Sequence, residues 1–155
     1  ANMSKLTIVI DNLGHNELRN YLMSLNGIFD VKIKNIKYLE VYLEYDSNLI
    51  TPNIIKMEIL LFLDIFKTPS ILSFNKYPKF KTFNYTIIRD DLCCEYCLKG
   101  AINDLFEIKG IESAKSNFDK AYFSIPREKI MVNIKYNPNL IDNNKIKQIE
   151  SELII

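Results

Sequence analysis

The sequence predicts an α+β fold in which one unit, ordered strand, helix, strand, strand, helix, is built twice in tandem. Three observations point to it: a long internal match, a hydrophobic period that switches between two and 3.6, and a glycine at the same place in each copy. The match runs from Val41-Tyr42-Leu43-Glu44-Tyr45-Asp46-Ser47-Asn48-Leu49-Ile50 onto Val132-Asn133-Ile134-Lys135-Tyr136-Asn137-Pro138-Asn139-Leu140-Ile141. Asn53, Ile55 and Lys56 carry it on to Asn144, Ile146 and Lys147. Upstream, Leu25-Asn26-Gly27-Ile28 matches Ile108-Lys109-Gly110-Ile111 at a smaller separation, which places an insertion at residues 116–128 of the second copy.

In the first copy Thr7-Ile8-Val9-Ile10 is a short β-branched run, the composition of a strand. Leu18, Tyr21, Leu22 and Leu25 then recur at helical spacing, and Gly27 follows them as a left-handed cap would. Val31 and Ile33, then Val41, Leu43 and Tyr45, alternate as two strands around a polar turn. Thr51-Pro52 opens the second helix, since a proline at the first helical position gives up an N–H that had no partner. Ile59-Leu60-Leu61-Phe62-Leu63 is apolar all round that helix, which predicts burial on more than one side, against the second copy or another partner, with a thick local core as the plainer account. Ser70 to Phe74 is the closing strand.

In the second copy the same elements fall at Tyr85 to Arg89, Glu95 to Ile108, Glu112 to Ser116, Ile130 to Tyr136 and Asn144 to Leu153. No sixth element is visible before Ile155, so either the chain is a piece of a longer protein or other residues complete the copy. The domain boundaries expected are 4–74 and 83–155, with 75–82 as linker.

Composition bounds the function. With 155 residues, 48% of them hydrophobic, the chain can bury one core or two small ones. A net charge of +1 gives no support to nucleic-acid or anionic-membrane binding. Ile54 to Phe66, the most apolar stretch, carries Lys56, Glu58 and Asp64 and is too short and too charged to span a bilayer. Ala1-Asn2 reads as a remnant ahead of a native methionine at Met3, and no signal segment follows.

All three cysteines lie in Cys93-Cys94-Glu95-Tyr96-Cys97, at the start of a helical pattern. Cysteines this close cannot staple a secreted fold, because a disulfide stabilises by closing a long loop, so the expected setting is reducing and cytosolic. Cys94 and Cys97 form a Cys-x-x-Cys pair in which one turn of chain brings two soft ligands together.

Set in this order of elements, the motif resembles the heavy-metal-associated (HMA) domains of copper chaperones and heavy-metal-transporting P-type ATPases. Those domains carry Gly-Met-x-Cys-x-x-Cys between the first strand and first helix; here Asp91-Leu92-Cys93-Cys94-Glu95-Tyr96-Cys97 stands in that place, keeping an apolar anchor in Leu92 and losing the glycine. Gly110-Ile111 falls where the family has Gly-Val, and Tyr45-Asp46 and Tyr136-Asn137 end the third strands in the family manner. The resemblance covers nearly the whole chain and implies two tandem ferredoxin-like βαββαβ domains, the second lacking an obvious final strand. It also implies transfer of a soft ion by ligand exchange, with a copper chaperone or another HMA-type domain as partner, or regulation of an attached P-type ATPase at the cytoplasmic face of a membrane.

Ligand type ranks the ions. Both thiols lie at a helix start, where the dipole favours thiolate, and two sulfurs on a short loop suit a soft ion of low coordination number, Cu(I) first. Zn(II) prefers four ligands, and the only histidine, His15, lies far away in sequence. Cys93 has two readings: a third sulfur that tightens Cu(I) or admits Zn(II) or Cd(II), or a small apolar residue turned away. Asp90, Asp91 and Glu95 form an acidic rim, solvated or used to meet a basic partner.

The first copy has no thiol. Aligned on Gly27, its Asp11 and Gly14 occupy the places of Cys94 and Cys97 in a loop four residues shorter, so it reads as a spacer or docking surface that has lost the site.

Two other classes compete. A dithiol-disulfide redox protein would also use Cys-x-x-Cys, but βαββα twice is not the thioredoxin order. A non-metal interaction module could use Tyr38, Tyr42, Tyr122 and Phe123 on a sheet face, but no RNA-recognition signature surrounds them. No phosphate loop, base-partnered nucleophile or paired-histidine motif marks an enzyme.

Overall fold

The computed structural model describes residues 3–11, 16–63, 69–89, 95–117 and 129–153. They form two compact units, Ala1–Tyr77 and Pro78–Ile155.

Unit 1 runs β1 (Met3–Ile10), α1 (Leu18–Met23), β2 (Ile28–Asn35), β3 (Leu39–Asp46), α2 (Pro52–Leu63) and β4 (Ile71–Asn75). Its sheet has the order β2-β3-β1-β4, and each of these pairings is antiparallel. This is the ferredoxin-like βαββαβ arrangement. Alternation in the sequence decides which face is covered: Leu6, Ile8 and Ile10 of β1 and Leu39, Val41, Leu43 and Tyr45 of β3 are buried, while the residues between them face the other way. Leu18 and Leu22 of α1 and Ile55 and Ile59 of α2 cover that face. Each such side chain taken out of water is worth about 1.5–3 kcal/mol.

Pro52 is the first residue of α2, and Thr51 Oγ1 accepts from the Ile54 N–H at 3.3 Å. The expectation that α2 is buried on several sides is not met. Ile59 is buried, but Leu61 is 64% exposed and Ile54 and Met57 are exposed as well, because a helix lying on a sheet presents one stripe to it. Phe62 is half-buried and finds a partner within the unit, stacking on Tyr21 of α1 with ring centroids 4.5 Å apart.

Unit 2 runs β5 (Phe83–Arg89), α3 (Glu95–Glu107), β6 (Ile111–Ser116), β7 (Ile130–Tyr136) and α4 (Asn143–Glu152). Its strands are ordered β6-β7-β5 and pair antiparallel. It is the same fold, with no fourth strand among the described residues. The boundaries differ from expectation by one or two residues: β5 begins at Phe83, β6 at Ile111 and α4 at Asn143, and β4 spans Ile71–Asn75. The expected insertion at 116–128 falls mostly on residues outside those described. Asn117 closes its near end, accepting from Met131 N–H and donating to Lys129 C=O through its side chain.

The repeat holds at the level of bonds. Gly27 and Gly110 have φ of +98° and +100°, a backbone that glycine adopts without strain. Each uses its carbonyl to accept from the end of the third strand or the residue just after it, Asp46 N–H at 2.7 Å and Asn137 N–H at 2.8 Å. The second strands even share an irregularity, between Ile28 and Asp30 in β2 and between Ile111 and Ser113 in β6. Among the described residues no helix is long and apolar enough to cross a membrane.

Candidate metal centre

In sequence the cysteine cluster runs from the residues between β5 and α3 into the first turn of α3. Of its residues only part is described. Cys93 and Cys94 lie outside the described residues, with Asp90, Asp91 and Leu92. Cys97 is the third residue of α3 and is half-buried.

The sequence of α3 explains this placement. Leu98, Ala101, Ile102, Leu105 and Phe106 recur at the spacing of one helix face and are all buried. Cys97 is one residue before the first of them and one turn before Ala101, so its thiol stands at the margin of the buried stripe, on the first turn of the helix. Lys99 is buried beside it in sequence, and its carbonyl accepts from the Asn103 side chain at 2.8 Å. The helix start favours negative charge, the form in which a thiol binds metal. Among the described residues no group of three histidine, cysteine, aspartate or glutamate side chains converges.

The corresponding place in unit 1 is put to another use. Asp11 stands just after β1, and its carboxylate accepts from the Ser70 N–H at 2.9 Å while its own N–H donates to the Ser70 carbonyl at 3.1 Å. The residue in the cysteine's place thus fastens the start of β4. Gly14 and His15 lie outside the described residues. α1 has six residues against thirteen in α3, and no side chain caps its start.

Of the aromatics considered for a sheet face, Tyr122 and Phe123 lie outside the described residues. Tyr42 is on the open face of unit 1, where it helps to line a groove of about 490 Å³ with Lys5, Thr7, Lys32, Lys34 and Tyr77. Lysines there are matched by acids across the strands, Lys5 by Glu44 and Lys34 by Glu40, so the face is charge-balanced. Tyr42 donates to Glu40 at 3.0 Å, a bond that together with partial burial raises its pKa.

A tie that sequence reading missed lies under α4. Tyr85 donates to Glu150 Oε1 at 2.9 Å, and Arg89 Nη2 donates to the Glu150 carbonyl at 2.6 Å. Burial first, then the bond to Glu150, pushes the Tyr85 pKa up. Strand alternation puts residues 85 and 89 on one face, but nothing in the sequence pattern names Glu150 as their partner.

No family model and no curated protein matches the sequence. Among solved structures, the solution structure of the N-terminal soluble domains of Bacillus subtilis CopA is similar, with a TM-score of 0.40 and 14% identity over 97% of this chain and 89% of that one. A likeness of that order assigns no function.

Proposed function

We propose that the chain is a soft-metal-binding module of the HMA type, in which unit 2 holds one ion, Cu(I) before Zn(II) or Cd(II), between Cys94 and Cys97. The observation that carries this reading is the position of Cys97, half-buried on the first turn of α3, the helix that follows the first strand of a βαββα unit; Cys94 precedes it by three residues in the sequence. Two thiolates presented there leave the ion two-coordinate and open to a third sulfur from outside. Transfer then proceeds by ligand exchange: an incoming thiolate binds the ion and one of this chain's cysteines lets go, a second thiolate of the partner displaces the other cysteine, both released thiolates can take up protons, and the ion leaves held by its new partner.

The partner is a copper chaperone or another HMA-type domain, or the rest of a P-type ATPase to which this module is joined, in the cytoplasm where thiols stay reduced. Cys93 serves as a small apolar residue next to the pair. Unit 1 is a docking or spacing unit, and the module has no catalytic step of its own. The ranking of ions follows from sulfur number, since two thiolates and no nearby histidine leave Zn(II) short of its four ligands.

Transfer is tested by mixing the reduced apo chain with a Cu(I)-loaded copper-chaperone domain under anaerobic conditions, separating the two and counting copper on each. The account expects copper to divide between them according to their affinities, and none to pass to the Cys94→Ser/Cys97→Ser variant. Equal transfer to that variant would refute the assignment.

A further inference from the structure

The two units carry the same cross-strand row on the open faces of their sheets and finish it differently. In unit 1 the row runs Lys32, Tyr42, Thr7 and Asn75 across β2, β3, β1 and β4. In unit 2 the matching positions are Lys115, Asn133 and Thr86 across β6, β7 and β5. There the row closes on itself, because Thr86 Oγ1 donates to Asn133 Oδ1 at 2.7 Å. In unit 1 a tyrosine stands in place of that asparagine, and the Thr7 hydroxyl instead meets the hydroxyl of a second tyrosine, Tyr77, at 3.0 Å. The fold does not require an aromatic ring in the middle of the row, since unit 2 is built with asparagine there.

Tyr77 is held in an unusual way. Its φ is +46°, and among the described residues no other non-glycine residue has a positive φ. Asn75 Oδ1 accepts from its N–H at 2.9 Å, and its hydroxyl is bonded to Thr7. The side chain is therefore fixed at both ends, yet the residue is 45% exposed, so core packing does not explain a backbone that costs stability. Tyr77, Tyr42 and Thr7 line the groove of about 490 Å³, a volume within the range of small-molecule sites. Charge in the groove has a pattern. Lys5 faces Glu44 and Lys34 faces Glu40, but Lys32 faces Tyr42, and among the described residues no carboxylate lies within ion-pair distance of it. Lys34 also lies over the Tyr42 ring, 5.5 Å from its centroid. One cation is left over in the middle row, with acids one row away on both sides, Glu40 on one and Glu44 and Asp30 on the other.

We infer that the open face of unit 1 binds a small flat aromatic molecule carrying one anionic group, of the size of a nucleoside monophosphate, with its ring system against Tyr42 and Tyr77 and its anion at Lys32. A ring already fixed in place gives contact area at little cost in ordering, and the bond from the ammonium to the anion sets the orientation. A nucleic-acid strand fits less well, because its successive phosphates would pass Glu40 or Glu44.

The test uses the full chain, isotope-labelled and reduced, titrated with adenosine monophosphate while amide spectra are followed. Adenosine and inorganic phosphate supply the ring and the anion separately. The expected result is a set of shifts centred on Thr7, Lys32, Tyr42 and Tyr77 that saturates with a Kd of about 0.1–5 mM, as one stacked base and one charge-assisted bond would give. Adenosine and phosphate should each bind at least about tenfold more weakly than the nucleotide. Tyr77→Gly keeps the left-handed backbone and removes the ring, and Lys32→Gln removes the cation. Each should weaken nucleotide binding at least about fivefold while the amide spectrum away from the groove stays that of the parent. Absence of shifts on this face would overturn the proposal. So would phosphate binding as tightly as the nucleotide, parent-like binding by Tyr77→Gly, or a single-stranded oligoadenylate binding the same face at least about tenfold more tightly than the monophosphate, which would make it a nucleic-acid surface.

Discussion

Replacing Gly110 with alanine puts a methyl group into a turn that lacks room for it. An added Cβ would lie 3.0 Å from Cδ1 and Cγ1 of Ile141 and 3.1 Å from Cβ of Leu140, and the backbone is at φ +100°. Forcing an L side chain into positive φ costs about 1–2 kcal/mol. Overpacking adds about 1–3 kcal/mol, toward the lower end here because the tip of Ile141 can turn aside. The total is about 2–4 kcal/mol, against roughly 4–12 kcal/mol for a unit of this size. At about 4–8 °C per kcal/mol, the melting temperature should fall by roughly 8–32 °C. Urea denaturation followed by circular dichroism, with the slope checked for constancy, measures it.

Gly27→Ala should cost as much, since its Cβ would come 2.9 Å from Leu49 Cβ and 3.1 Å from Ile50 Cγ2 at φ +98°. Gly100→Ala is the control. No atom lies within 4 Å of its Cβ, it sits inside α3, and alanine there should stabilise by about 0.5–1 kcal/mol. A loss of less than about 0.5 kcal/mol for both Gly27→Ala and Gly110→Ala would refute the reasoning, because neither the left-handed backbone nor the close contacts would then be real.

The other predictions concern single bonds. Asp142 caps α4 by accepting from the Lys145 N–H at 2.7 Å, so Asp142→Ala should cost about 1 kcal/mol in the same denaturation assay. Tyr85 has its pKa raised in the folded chain by burial and by Glu150, so the folded state keeps that proton longer than the unfolded state does. Its contribution is therefore complete below the ordinary tyrosine pKa of 10.0 and is lost as pH climbs above it; Tyr85→Phe should flatten that alkaline loss when stability is measured from pH 9 upward. Cys93→Ser should leave the stoichiometry of bound Cu(I) unchanged, as counted by titration against a chelator.

Much of the fold was legible because antiparallel strands with one covered face write their geometry as alternation. Val41, Leu43 and Tyr45 announce β3 and its buried side together. The two glycines were legible for a different reason: a backbone at positive φ tolerates little else, and the repeat marks the same place twice. Side-by-side contacts were less legible. The apolar run from Ile59 to Leu63 predicts burial all round, yet only tertiary placement decides that Leu61 faces water and Phe62 meets Tyr21. The tie of Tyr85 and Arg89 to Glu150 joins residues far apart in sequence and needs α4 to lie across β5, which no local pattern encodes. At the candidate site, the helix expected to start at Glu95 is α3, which has Cys97 on its first turn. Cys93 and Cys94 fall between the strand pattern and the helix pattern of the sequence, where neither periodicity applies.

The measurement that tests the central claim most directly is an anaerobic titration of the reduced chain with Cu(I), and separately with Zn(II), against a competing chelator, alongside the Cys94→Ser/Cys97→Ser variant. The account predicts one tightly held Cu(I) per chain, weaker Zn(II), and loss of Cu(I) in the variant. If neither ion competes with the chelator, or if the variant binds as the parent does, the claim is contradicted, and the reduction potential of the Cys94 and Cys97 pair becomes the quantity to measure.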